Sequence, residues 1–179
     1  MLGSEVELLT MKEAGLYQDI PEPHDTLEEN AREKSTVIYK LTQTNCFSED
    51  SGLEVQALNG EPGVRSARYA GEEKSDEKNI ELVLQKMANQ SNRKAQFRTI
   101  ISLLIGGQEF QFEGICEGQI LLEKRGTGGF GYDPIFVPDG DTRSFGEMSL
   151  QEKESYSHRG KATQKLVAFL KELEQKATN

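Results

Sequence analysis

Two acidic stretches could bind a metal ion. Glu49 and Asp50 precede Ser51 in a sequence that predicts a turn after a short strand. Strand ends are where α/β proteins commonly bind ligands, although Asp and Ser are also ordinary turn residues. Glu29 lies early in a predicted helix, shortly before Lys34, and a helix-capping role would explain it equally well. Carboxylates of this kind suit a metal with oxygen ligands such as Mg²⁺.

Four residues near the C-terminus could bind phosphate groups. Lys153, Ser157, His158 and Arg159 come at the start of a predicted helix in an otherwise acidic chain. Cationic side chains and the N-terminus of a helix both attract anions. Helix capping and solvated charges would use the same residues, so this cluster alone leaves structure and function as alternatives.

The glycine-rich stretch 125–136, RGTGGFGYDPIF, contains the pattern G-x-G-x-x-G. In dinucleotide-binding proteins that pattern follows a strand and opens a helix. Here Pro134 disfavours the α region for the residue before it, and an apolar run follows, so we predict a strand–loop–strand unit. The loop carries Phe130 and Tyr132. Either these rings pack into the core, or the loop offers an aromatic face and backbone N–H groups to a ligand.

The composition excludes several classes of partner. The chain has 179 residues, a net charge of −9 and a hydrophobic share of 35%, which is enough for one core. Such a charge argues against non-specific nucleic-acid binding and against an anionic membrane surface. No apolar run approaches the roughly 18 residues of a membrane span, and the N-terminus lacks a signal-peptide pattern. We expect a cytoplasmic protein with no nucleic-acid or membrane partner.

Patterns for nucleophilic catalysis are missing. Ser51 is not in a G-x-S-x-G sequence, and no glycine-rich P-loop ends in Gly-Lys-Ser/Thr. Cys46 and Cys116 are too far apart in sequence for a metal-type spacing, so we predict two free thiols in a reducing compartment.

Helices and strands are predicted to be mixed along the chain. Thr26 and Glu29 predict a capping box that opens the first helix, and Ser149 with Glu152 predicts a second. Gly106-Gly107 predicts a tight hairpin. The predicted helices cover about 26–41, 76–88 and 158–175, and the predicted strands cover 45–48, 53–58, 95–105, 109–121 and 135–137. The fold class is therefore α/β with a mixed, twisted sheet.

Together, carboxylates for a metal, cations for phosphate and an aromatic loop for a nucleobase suggest metal-dependent attack on a nucleotide phosphate. Four segments of the sequence resemble the inosine triphosphate pyrophosphatase family. They are TLEENAREK (26–34), SEDSGLEVQALNGEPGVRSARYAG (48–71), GTGGFGYDPIFVPDG (126–140) and EMSLQEKESYSHRGKA (147–162). The resemblance runs from about residue 4 to about residue 170.

The resemblance implies a function and a fold. It implies Mg²⁺-dependent hydrolysis of ITP, dITP and XTP to the monophosphate and pyrophosphate, which removes non-standard purines from the nucleotide pool. It implies an elongated α/β fold of two lobes, with a central mixed, twisted sheet and a cleft between the lobes. It also implies a homodimer. We accordingly expect one domain over residues 1–179.

The resemblance also implies roles for individual residues. Asp50 matches the catalytic carboxylate and, with Glu29, the metal ligands, and Lys34 matches the lysine near them. The residues matching substrate-binding positions are Ser51, Phe130, Gly131, Tyr132, Asp133, Lys153, His158 and Arg159.

Two departures from the family pattern matter. Glu49 replaces the first aspartate of a D-D-S-G motif, and its extra methylene should be tolerated. The family also begins with a strand and a T/S-x-N-x-x-K phosphate loop, which this sequence lacks. The alternatives are therefore a catalytically weak nucleotide-binding relative or fragment and, more remotely, a dinucleotide-dependent oxidoreductase based on the glycine pattern.

Overall fold

A computed structural model describes residues 7–177 of the chain. Its α-helices are α1 (Leu27–Thr42), α2 (Asp76–Met87), α3 (Leu150–Glu154) and α4 (His158–Ala177). Its strands are β1 (Cys46–Val55), β2 (Lys94–Ile105), β3 (Gln108–Ile120) and β4 (Phe136–Pro138). Four 3₁₀ helices lie at Gln56–Leu58, Gly63–Arg68, Asp133–Ile135 and Phe145–Glu147. The predicted α/β class is confirmed.

The strands form one sheet in the order β1-β2-β3-β4. Within residues 7–177 every neighbouring pair is antiparallel, so the prediction of a mixed sheet is corrected. That prediction was based on the mixture of helices and strands along the chain, with one clear hairpin. In the structure α2 instead packs on the two 3₁₀ helices beyond the end of β1. The chain therefore returns along β1 in the opposite direction.

The stretch Glu49–Gly52 lies inside β1, and the prediction of a turn there is wrong. These residues pair with β2 without interruption. Gly52 serves close packing rather than a turn, because a Cβ atom at this position would lie 2.3 Å from the carbonyl oxygen of Gly63. Asp50 is consequently held by a strand that is bonded along its whole length to a neighbour, which is a rigid position for a functional side chain.

The long helices α1 and α4 cover opposite faces of the sheet. Ile100 of β2 packs against Leu27 and Ala31 of α1, whereas the adjacent Ile101 packs against α4 residues Ala162 and Leu166. Successive side chains of a strand point to opposite faces, and paired residues of an antiparallel ladder share a face. Asp50, which pairs with Ile100, therefore faces α1, and Glu49, which pairs with Ile101, faces α4.

A separate apolar cluster supports the glycine-rich loop. It joins Leu53 of β1 and Val83 of α2 to Phe136 of β4 and Phe145. As predicted, β2 and β3 form a hairpin closed at Gly106-Gly107, and the glycine-rich loop leads into a short strand. The loop is followed by a three-residue 3₁₀ helix rather than an α-helix, which removes the structural basis of the dinucleotide-binding alternative. None of the helices described for residues 7–177 is both long and apolar enough to cross a membrane.

Candidate active site

Lys34 and Asp50 form a largely buried ion pair between α1 and β1. Lys34 Nζ donates to Asp50 Oδ1 at 2.7 Å. The Asp50 residue is 8% exposed. Burial, which disfavours the carboxylate, raises the pKa of Asp50, and the hydrogen bond from Lys34 opposes that effect. The pair therefore places a weakly solvated carboxylate and an ammonium group at one point, as attack on a phosphate requires.

A second carboxylate, that of Glu22, holds the same lysine. Lys34 Nζ donates to Glu22 Oε1 at 2.9 Å, and Arg68 Nη2 donates to Glu22 Oε2 at 2.6 Å. The segment is fixed by the buried side chain of Asn30, which accepts from the His24 N–H at 3.0 Å and donates to the His24 carbonyl at 3.1 Å. Glu22 and Arg68 are not among the residues that the sequence predicted for the site.

On the other face of β1, a cavity of about 190 Å³ lies between the strands, the glycine-rich loop and the start of α4. Side chains or backbone of Gly52, Ser66, Asp76 and Phe97 contribute to its wall. The cavity brings together all of the residues that were predicted to bind substrate: Ser51, Phe130, Gly131, Tyr132, Asp133, Lys153, His158 and Arg159.

The ring of Phe130 lies at the cavity with cations above it. Phe130 is 61% exposed. Lys153 Nζ is 4.6 Å from its ring centroid, and Arg159 Cζ is 5.9 Å from it, which are distances of cation–π contact. An exposed aromatic ring held this way is available for stacking with a planar ligand.

The Asp133 carboxylate fixes the shape of the glycine-rich loop through two hydrogen bonds. This buried carboxylate accepts from the Phe130 N–H at 2.9 Å and from Lys153 Nζ at 2.6 Å. Tyr132 is buried as well, and its hydroxyl donates to the Ser66 carbonyl at 2.8 Å. Burial raises the pKa of Tyr132, so this hydroxyl stays protonated. The loop is therefore tied to α3 and to the segment after β1 by internal bonds.

His158 begins α4 as a neutral imidazole. It is 8% exposed and stacks on Phe97 with ring centroids 5.1 Å apart. Burial, reinforced by the charge of Arg159, lowers the pKa of His158 to about 3. Its Nδ1 atom is buried without a hydrogen-bond partner in the described part of the chain. His158 also lines the cavity, and a buried polar atom without a partner calls for an explanation such as a bound water or ligand.

The carboxylates near Asp50 could bind a magnesium ion only together with the phosphates of a substrate. Among residues 7–177 no three His, Cys, Asp or Glu side chains are grouped closely enough to hold a metal. Glu29 is exposed, and its carboxylate accepts from the Thr26 hydroxyl at 2.8 Å. Mg²⁺, however, is commonly bound by one or two carboxylates together with substrate phosphates and water. Asp50 is a suitable ligand in such a site.

Comparisons with known proteins agree with this arrangement. A dITP/XTP pyrophosphatase of Christiangramia forsetii is 48% identical over 170 residues, which cover 95% of this chain and 90% of that protein. The Staphylococcus aureus Ham1 protein structure is 45% identical, with a TM-score of 0.83 over 86% of this chain and 81% of that one. A nucleoside-triphosphatase/dITP/XTP pyrophosphatase structure from Mycobacterium abscessus is 39% identical, with a TM-score of 0.81 over 93% and 87%. The Ham1 family model matches residues 1–169, and this chain belongs to the Ham1 family.

Proposed function

We propose that the chain is a nucleoside-triphosphate pyrophosphatase that hydrolyses ITP, dITP and XTP to the monophosphate and pyrophosphate, and so removes non-standard purines from the nucleotide pool. The names of the similar proteins, dITP/XTP pyrophosphatase, support this proposal. The observation that carries it is the adjacency of two sites on β1: Asp50 contacts Lys34, while the next residue, Ser51, lines the cavity that contains Phe130.

In this proposal the cavity holds the purine. Phe130 stacks on the base, a contact worth roughly 1–3 kcal/mol, and Lys153 contributes positive charge nearby. Asp133 keeps the loop closed through its bonds to Lys153 and the Phe130 N–H. Ser51 lines the same cavity, and its hydroxyl lies 2.6 Å from that of Thr99. This hydroxyl can form a hydrogen bond with the sugar or with the phosphate next to it.

The triphosphate then runs from the cavity past β1 to the opposite face of the sheet. The two sites lie on opposite faces of β1, and β1 is bonded to β2 along its length, so a ligand that reaches both must cross the edge of β1. There Asp50 orients or deprotonates the attacking water. Lys34 places its ammonium charge against the phosphate oxygens.

The expected cofactor is Mg²⁺, with Asp50 and Glu29 as protein ligands. A bound divalent ion would neutralise charge that develops on the leaving pyrophosphate. For Glu29 to take part, its carboxylate must exchange the Thr26 hydroxyl for the ion. The raised pKa of Asp50 suits that carboxylate to accept a proton from water.

The purine base would be selected by hydrogen-bond donors of the protein that face its 6-position. Arg159 or His158 can donate to the 6-oxo group of hypoxanthine or xanthine. Adenine presents a donor there, and a buried donor facing a donor is costly. Rejection of about 10⁴-fold is attainable by this means without a second, editing site. The neutral state of His158 leaves one ring N–H and one acceptor nitrogen.

The alternative of a catalytically weak relative is not favoured. Relatives that are 44–48% identical are named as pyrophosphatases, and the Lys34–Asp50 pair is formed. We further propose a cytoplasmic, homodimeric protein with a single two-lobed domain over residues 1–179.

Product analysis tests the reaction itself. ³¹P NMR of a reaction with ITP and Mg²⁺ should give inosine monophosphate and pyrophosphate in equal amounts. Formation of the diphosphate and inorganic phosphate would contradict cleavage between the α and β phosphates. Asp50→Asn, measured beside the parent chain, controls for contaminating phosphatases.

A further inference from the structure

Glu49 and Arg159 link the catalytic strand to the wall of the base cavity. Arg159 Nε donates to Glu49 Oε1 at 2.7 Å. Glu49 is two positions before Ser51 on the same face of β1, and Ser51 lines the cavity together with Arg159. The carboxylate therefore contacts the guanidinium from beside the site rather than from within it.

The bond determines which nitrogen atoms of Arg159 remain for a ligand. A guanidinium carries five N–H groups in a rigid planar fork. The Nε–H is directed to Glu49, so the four N–H groups on the two terminal nitrogens are the donors that can reach the cavity. At the same time Cζ lies 5.9 Å from the centroid of Phe130. The plane and the position of the fork are thus set by two contacts, one with Glu49 and one with Phe130.

From these contacts we infer that Glu49 is a positioning residue, which holds the Arg159 guanidinium where its terminal N–H groups meet the oxo groups of a purine; the inference rests on the proposed function. Glu49 has a different task from Asp50 because the two side chains point to opposite faces of the strand. Its extra methylene, relative to aspartate, lengthens its reach towards α4.

A simple alternative is that the bond is an ordinary surface ion pair. Both side chains are partly exposed, Arg159 at 44% and Glu49 at 41%, and exposed pairs contribute little to stability. The ion pair of Glu61 with Lys86, exposed at 53% and 41% and joined at 2.6 Å, is a control that lies outside the cavity lining, although Glu61 also accepts from the Tyr69 hydroxyl. A role in base selection must therefore appear in selectivity, and it must be absent when Glu61 is changed.

The test compares Glu49→Ala, Arg159→Ala, the double variant and Glu61→Ala with the parent chain. Steady-state kinetics with ITP and ATP give the selectivity, and thermal unfolding reports the fold. We expect Glu49→Ala to raise KM for ITP roughly twofold to fivefold, with kcat, ATP turnover and the unfolding midpoint nearly unchanged. Glu61→Ala should match the parent. In the Arg159→Ala background, Glu49→Ala should have no further effect on the ITP-to-ATP ratio.

Two results would overturn the inference: a Glu49→Ala variant with the selectivity of the parent, or an equal loss of selectivity from Glu49→Ala with and without Arg159. Calorimetric binding of inosine monophosphate separates this inference from the proposed reaction. If the parent chain binds the monophosphate but releases no pyrophosphate, the reaction is wrong. The same binding measurement on Glu49→Ala then decides the role of Glu49, because weaker binding supports it and unchanged binding contradicts it.

Discussion

Lys34 and Asp50 lie on different elements, yet Nζ of the lysine is 2.7 Å from Oδ1 of the aspartate. The helix α1 and the strand β1 that carry them are packed face to face through Leu27, Ala31 and Ile100. Glu22 accepts a second hydrogen bond from the lysine. The ammonium is thus located by two carboxylates before any substrate arrives, which reduces the reorganisation needed for reaction.

Asp50→Asn should nearly abolish turnover. The amide keeps the shape of the side chain but can neither take a proton from water nor carry the charge that Lys34 faces. We expect kcat for ITP to fall by about 10²–10⁴-fold, with binding of inosine monophosphate unchanged because the cavity lies on the opposite face of β1. A variant that retains most of its kcat would remove Asp50 from the proposed chemistry.

Phe130→Ala should weaken substrate binding without unfolding the chain. The ring is 61% exposed, so its removal takes little from the core, but it deletes the stacking surface. Loss of roughly 1–3 kcal/mol corresponds to roughly fivefold to 150-fold in affinity. Calorimetry with inosine monophosphate measures it. Leu41→Ala, which truncates another exposed apolar residue (52% exposed), serves as the control, and equal effects of the two changes would refute stacking.

Gly129→Ala should be far more harmful than Gly131→Ala. Both glycines have positive φ, +78° and +57°, so alanine is strained at either by about 1–2 kcal/mol. At Gly129 the new Cβ would also lie 2.1 Å from Asp133 Oδ2, whereas at Gly131 no atom lies within 4 Å. Displacing Asp133 breaks its bonds to Lys153 and the Phe130 N–H. Chemical unfolding should rank the variants, and similar losses at the two positions would contradict this packing.

His158 should make the free energy of unfolding depend on pH. Because its pKa is lowered from 6.5 to about 3 in the folded state, the unfolded chain binds a proton in this range that the folded chain does not. Stability is therefore fully present above about pH 6.5 and is lost as the pH falls towards 3, by at most about 1.4 kcal/mol per pH unit from this group.

Urea unfolding at pH 7 and pH 5 measures the effect of His158. His158→Gln keeps a polar side chain that does not titrate, so the difference in unfolding free energy between the two pH values should be smaller than in the parent. Carboxylates elsewhere contribute equally to both proteins. Identical pH dependence in the two would show that His158 is not kept neutral by the fold.

Features encoded by neighbouring residues were predicted from the sequence. The capping hydroxyls of Thr26 and Ser149 each accept from the N–H three residues later, and both helices begin where these pairs indicated. The hairpin at Gly106-Gly107 also depends on local backbone preference. Such signals need no knowledge of the rest of the fold.

Features that depend on distant partners were missed. Glu49–Gly52 has turn-forming composition, but pairing with β2 and the close approach of Gly63 keep it extended. Tertiary contacts commonly override local preference in this way. The bond between Glu49 and Arg159 joins residues that are 110 positions apart, and Glu22 meets Arg68 only because α1 and the segment after β1 are packed together. No spacing in the sequence indicates such pairs.

The most direct test of the proposed function is pyrophosphate release from ITP by this chain, with ATP as the comparison substrate, with Mg²⁺ and with EDTA. We predict rapid Mg²⁺-dependent release from ITP and release from ATP that is lower by orders of magnitude. A folded sample that binds inosine monophosphate but releases no pyrophosphate from ITP would contradict this prediction, as would equal release from both nucleotides.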